Sequence, residues 1–194
     1  MARVENILFI APRFPEGPTV GGAETLIKHL AIQTIAAGRK ASFLTTCARD
    51  HFTWKNELPA GSRTIDGIPV NFFPVDEDRD IPAFLEIQDR ICSGMPVTDE
   101  DEQTWLKNNV NSRAILDFLR NHGDEYGCIV VGPYLFGLTY FVAMVHPSKT
   151  MLVPCLHDEP FAYLRAFKGM FNSVRGFMFN TEPERDLAME LYGL

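Results

Sequence analysis

The sequence predicts an α/β fold: a single doubly wound, mostly parallel sheet with helices on both faces. Two observations predict it. Short apolar runs such as NILFIA (residues 6–11) and CIVV (residues 128–131) alternate with longer segments whose apolar residues share one face, the pattern of strands covered on both sides by crossover helices. The turn and cap residues also fall where that alternation needs them, with Gly38 after one such segment, Asp66-Gly67 between two strand-like runs and Gly193 after the last helical stretch. At 194 residues, 46% hydrophobic and 22% charged, the chain suffices for one well-buried core, and residues 1–194 read as one domain.

Taken in order, the apolar run over 6–11 is the first strand. The loop PRFPEGPTVGG leads into a helix over 23–37, with Leu26, Ile27, Leu30, Ala31 and Ile35 on one face and Gly38 as its C-terminal stop. ASFLTT (41–46) is a second strand, and residues 64–75 form a hairpin turning at Asp66-Gly67. A helix over 82–92 follows. Another begins after an N-cap at Thr98, where acids suit a helix N-terminus, and runs through Leu106, Val110, Ile115, Phe118 and Leu119 to Gly123. The rest reads as strand 128–131, helix 134–145, strand 150–156, helix 160–169, strand 176–180 and helix 183–192. There is no internal repeat.

Composition narrows the function. A net charge of −7 and a pI of about 5.2 speak against nucleic-acid binding. Residues 76–102 hold ten acids against Arg79 and Arg90, so this stretch carries −8 and everything else sums to +1. Without metal-type spacing, it reads as a solvated excursion. Cys47, Cys92, Cys128 and Cys155 form no C-x-x-C pair, which points to reduced thiols in a cytosolic protein, and the N-terminus lacks a signal-peptide pattern. Residues 126–148 lack Asp, Glu, Lys and Arg, but Gly132-Pro133 and Gly137 interrupt them, so strand, turn and helix explain them better than a membrane span.

In a doubly wound sheet, ligands bind beyond the carboxyl ends of the strands, which makes the loop after the first strand a functional position. Gly21 and Gly22 stand there, at the mouth of a helix, with Glu24 in its first turn. They suit close approach of an anion to helix N–H groups; they also suit a plain helix start. Neither a dinucleotide fingerprint nor a G-K-[ST] phosphate loop is present.

Several segments in a fixed order carry a resemblance. ILFIAPRFP is followed by GGAE opening a helix; SFLTT and DGIPVNFFP come next, then LVPCLHDEP with His157 just past a strand, then GFMFNTEPERDLAMELYG. Together they span nearly the whole chain. In this order the sequence resembles the N-terminal, Rossmann-like domain of the retaining GT-B glycosyltransferases of family four. No single motif is specific; their succession is.

The resemblance implies half of a two-domain GT-B architecture, with an acceptor side here and a nucleotide-diphosphate sugar bound mainly by a C-terminal domain that this chain does not contain. It implies that Gly21 and Gly22 lie near the donor diphosphate and that His157 is the catalytic-side group beside the donor sugar, unless His157 merely caps the next turn. Glu24 would be an acceptor or loop contact. Trp54, near Phe52 in the loop 48–62, would stack on an acceptor or belong to the core. Transfer with retention would rest on electrostatic stabilisation without a bound metal or cofactor. The family's paired glutamates belong to the other domain; the same spacing at Glu16 and Glu24, and at Glu182 and Glu190, is coincidence. The acceptor would be a glycan or a lipid-linked sugar. The location would be cytoplasmic, with peripheral association of the full-length protein at the inner membrane face left open, and the fragment alone would be inactive. Two other readings stay open: a stand-alone, non-catalytic α/β binding domain, and half of another nucleotide-sugar enzyme such as an epimerase.

Overall fold

A computed structural model describes residues 6–16 and 21–194; Gly17 and the Thr19-Val20 pair of the first loop lie outside the described residues. The strands are β1 (Asn6–Ile10), β2 (Lys40–Thr46), β3 (Gly61–Ile65), β4 (Ile68–Phe73), β5 (Cys128–Val131), β6 (Thr150–Leu152) and β7 (Gly176–Phe177). The helices are α1 (Gly22–Ala36), α2 (Ile81–Cys92), α3 (Asp99–Asn108), α4 (Arg113–His122), α5 (Gly137–Val145), α6 (Arg165–Ser173) and α7 (Glu182–Tyr192). The strands form one sheet in the order β3-β4-β2-β1-β5-β6-β7, parallel throughout except for the β3–β4 hairpin. The α/β, doubly wound, Rossmann-like class expected from the sequence is therefore the observed one, and the strand order reverses between β1 and β5.

β1 shows why its run is continuously apolar. Successive side chains point to opposite faces. Leu8 and Ile10 join the large core beneath α3 to α7, while Ile7 and Phe9 join a second core with Ile27 and Ala31 of α1. Beyond Asn6 at its start every position of the strand is buried, so alternation has no reason to appear.

Turn and cap expectations hold. Asp66 and Gly67 both take positive φ (50° and 78°), the backbone of a two-residue hairpin turn, and Ile65 pairs with Ile68 across it. At the end of α1, Gly38 N–H donates to the Ile35 carbonyl and Arg39 N–H to that of Thr34, a Schellman closure.

Three expected helices differ. The one from Thr98 to Gly123 is two, α3 and α4. Asn111 donates its side-chain amide to the carbonyls of Leu106 and Lys107, ending α3, and Asn109 Oδ1 accepts the Val110 N–H at 2.6 Å. Ser112 then caps α4, aided by Asp76, which accepts from the Arg113 N–H. Asn and Ser side chains compete here with the helix ladder for backbone partners. The helix expected from residue 134 starts at Gly137, because Tyr134 is buried in the core and its N–H donates to the Pro154 carbonyl. The helix expected over 160–169 divides into a 3-10 turn (Pro160–Tyr163) and α6. Glu102 supplies the new N-terminus, accepting the N–H groups of Arg165 and Ala166 at 3.2 and 2.8 Å.

The expected strands over 150–156 and 176–180 shorten to β6 and β7; Pro154 has no N–H with which to continue the β6 ladder. The acidic stretch is largely solvated, as expected, with seven of its ten acids exposed, but it is also tied into the fold. Glu102 is only 3% exposed, Asp80 caps α2, and Asp101 forms a capping box with Thr98 while pairing with Arg90. Residues 126–148 hold β5, a turn and α5, and no helix among the described residues is long and apolar enough to cross a membrane.

Candidate functional site

The loops that follow the parallel strands gather at the carboxyl edge of the sheet and leave two crevices there. The first, about 690 Å³, lies between the start of α1, the loop after β6, the loop after β7 and the start of α7. Gly22 and His157 both line it.

α1 opens on Gly21 and Gly22, and among the described residues no side chain caps its first N–H groups. The two glycines have different reasons to be glycine. A Cβ on Gly21 would stand 2.5 Å from Glu24 Oε2, whereas one on Gly22 would meet no protein atom within 4 Å. A side chain at Gly21 would thus displace the Glu24 carboxylate, and only Gly22 leaves open space on the crevice side. Glu24 is withdrawn from that space. It is 3% exposed and accepts from Arg13 Nε and Nη2 at 2.9 and 2.6 Å. Paired this way, its charge is compensated, and the helix N-terminus keeps its preference for an anion.

His157 is exposed, and its ring has no hydrogen-bond partner among the described residues. The reading in which it caps the following turn is not what the structure has. The loop beneath it is nevertheless held on both sides. Glu184 accepts the Leu156 N–H at 2.9 Å and the Asn180 N–H at 2.6 Å, tying the β6 and β7 loops together, and Thr181 caps α7. On the far side, Tyr134 donates its hydroxyl to Glu159 at 2.6 Å and Tyr163 donates to Asp158 at 2.8 Å. Burial, reinforced by the Glu159 carboxylate, pushes the Tyr134 phenol well above its ordinary range, so it remains a neutral donor. The result is a free imidazole on a pinned loop.

Cys155 also borders the crevice, with φ +51°. Burial raises its thiol above the ordinary range, which leaves it protonated and a poor nucleophile at neutral pH. Among the described residues, no three His, Cys, Asp or Glu side chains come together in a metal-binding group.

Trp54 stands elsewhere, in a second crevice of about 670 Å³ between the loops after β2, β4 and β5. It is half-buried, edge-on to Phe136 at 5.3 Å, and its ring lies 5.7 Å from the Arg13 guanidinium carbon. Both alternatives for Trp54 hold in part: one side packs on the small cluster of Ala48, Val75 and Val110, and the ring also lines a crevice. Arg13 therefore touches Glu24 beside the first crevice and Trp54 in the second.

Sequence reasoning did not find Glu184 or Arg13. Glu184 had a signal, the T-x-x-E spacing from Thr181 that marks a helix start. Arg13 had none, since its partner is set by the path of the loop. The fold and crevice define a class: a doubly wound α/β domain whose carboxyl edge offers a helix N-terminus and a histidine that, among the described residues, have no side-chain cap and no hydrogen-bond partner. No family model, curated protein or solved structure matches the chain.

Proposed function

We propose that this chain is the N-terminal domain of a retaining glycosyltransferase, in which the first crevice meets the diphosphate and sugar of a nucleotide-diphosphate donor. The observation that carries the reading is that Gly22 and His157, distant in the chain, line one open crevice at the carboxyl edge of the sheet. The uncapped start of α1 suits the diphosphate, whose charge its N–H groups would partly offset. The His157 ring, without a hydrogen-bond partner among the described residues, suits a hydrogen bond to the donor sugar that strengthens as charge develops on it. Burial and the Arg13 partner keep Glu24 from repelling that diphosphate. The acceptor, a glycan or lipid-linked sugar, would enter from the side of the second crevice, and a C-terminal domain would hold most of the donor. The reading places the protein in the cytoplasm, free or at the inner membrane face.

The test uses the protein expressed from its whole reading frame, incubated with a panel of nucleotide-diphosphate sugars and assayed for release of nucleoside diphosphate. Turnover in the wild type is expected, lost in Gly22→Val and cut about ten- to a hundredfold in kcat by His157→Ala, the worth of one hydrogen bond to a charged site. Unchanged kinetics in both variants would refute the assignment of the crevice. Sugar binding without turnover would favour the non-catalytic binding domain.

A further inference from the structure

The second crevice has a composition that the first lacks. Its walls are aromatic, and a single cation stands in them. Trp105, only 1% exposed, is stacked between Phe84 (5.8 Å, 12°) and Phe161 (5.2 Å, 14°), while Phe136 and Trp54 close the opposite side. The cation is Arg79.

Arg79 sits inside an acidic run, yet each neighbouring acid is engaged elsewhere. Asp76 and Asp78 pair with Arg113, and Asp80 accepts from the Ala83 N–H at the start of α2. Among the described residues, no carboxylate pairs with Arg79. Its one side-chain hydrogen bond among the described residues is long, from Nη2 to the Thr53 carbonyl at 3.5 Å, and its Nε–H is buried with no acceptor. Burial draws its pKa downward, against the pull of the Asp76 charge, but a guanidinium stays protonated at any physiological pH. A second buried donor without an acceptor, the Trp105 indole N–H, belongs to a ring that lines the crevice. Buried donors without acceptors are uncommon and point to a missing partner.

We infer that this crevice binds an amphipathic anion, whose apolar face lies on the aromatic walls and whose single carboxylate or phosphate is held by Arg79. The size suits a ligand of one or two sugar rings. Sugar rings stack on aromatic faces through their C–H groups, and His51, Thr53, Gln88 and Asn109 supply polar contacts at the same walls. The surrounding acids repel a bare anion, so inorganic phosphate alone binds poorly; recognition needs the apolar body and the charge together. Within the glycosyltransferase reading on which it rests, the inference makes the acceptor acidic: either an acidic sugar or a lipid phosphate. Occupancy of the crevice, however, requires no transfer and can be measured without it.

The chain has two tryptophans, Trp54 and Trp105, and both line this crevice, so intrinsic fluorescence reports on it directly. The 194-residue chain is titrated with phenyl β-D-glucuronide, with phenyl β-D-glucoside, which carries a neutral hydroxymethyl group in place of the carboxylate, with octyl phosphate, and with inorganic phosphate. The expected result is a saturable change with one of the two amphipathic anions at least about tenfold tighter than with the glucoside, a gap of one charge-assisted hydrogen bond. A response to the glucuronide identifies an acidic sugar; a response to octyl phosphate identifies a lipid phosphate. Arg79→Gln, checked for folding by its thermal melt, should abolish the preference, and Arg79→Lys should keep part of it. Equal affinity for glucuronide and glucoside, with no response to octyl phosphate, overturns the inference in the wild type alone. A preference that persists in Arg79→Gln overturns it as well. Failure of the His157 and Gly22 kinetics leaves these titrations untouched, so the two readings fail separately.

Discussion

Alanine at the two adjacent glycines that open α1 should have opposite effects on stability. At Gly21, a Cβ would stand 2.5 Å from Glu24 Oε2. That oxygen ends a flexible side chain, but the chain is buried and held by Arg13 at 2.6 and 2.9 Å. To make room, the carboxylate must shift against its ion pair. Overpacking of this kind typically costs about 1–3 kcal/mol, with complete loss of a buried pair nearer 3–5 kcal/mol. Taking about 2 kcal/mol, Gly21→Ala should lower Tm by about 4–8 °C in a domain of this length. At Gly22, nothing lies within 4 Å of an added Cβ, and the residue already begins a helix, where alanine is favoured over glycine. Gly22→Ala should leave Tm unchanged or raise it by about 1–2 °C. Thermal melts followed by circular dichroism at 222 nm decide between them. If Gly22→Ala destabilised the protein as much as Gly21→Ala, the space beside Gly22 would not be open, and its assignment to a ligand would fall.

The remaining predictions concern groups whose partners are known. His157→Ala removes an exposed ring without a partner among the described residues, so its unfolding free energy should stay within about 0.5 kcal/mol of wild type even as turnover falls; a larger stability loss would mean the ring is structural. Glu102→Ala leaves two N–H groups of α6 without acceptors and should cost on the order of 2 kcal/mol in urea unfolding, whereas a change below about 0.5 kcal/mol would contradict its capping role. Asp101 is held at a pKa of about 2 by the Thr98 backbone N–H, then by Arg90 and the Thr98 hydroxyl. A carboxyl depressed on folding stabilises above its unfolded pKa, near 4, and that stabilisation is lost as pH falls through about 2. Tm should therefore drop less between pH 5 and pH 2 in Asp101→Asn than in wild type; parallel curves would exclude this group as a source of acid sensitivity.

The sequence by itself determined the alternation of strands and helices, the parallel sheet and the turn and cap residues, because these depend on local periodicity and on backbone chemistry within a few residues. NILFIA was legible as a doubly buried strand, and Asp66-Gly67 as a hairpin turn, without any knowledge of their neighbours. It also placed Gly22 and His157 in the segments that follow strands, where a doubly wound sheet has its ligands. What it could not show were the breaks after Asn108, before Gly137 and at Leu164. At the last two, a residue remote in the chain offers the backbone a better partner than the helix does, Pro154 for Tyr134 and Glu102 for α6; at the first, the local side chains of Asn111 and Ser112 take over the backbone groups and remote Asp76 adds an acceptor for the Arg113 N–H. The same cause separated Gly21 from Gly22, which are indistinguishable as letters but divided by the Arg13–Glu24 pair. It also left Arg79 without a carboxylate inside the most acidic stretch of the chain. Charge density is a property of sequence; which acid is free to pair is decided only by the tertiary structure, because each carboxylate goes to the cation or N–H group that packing brings within reach.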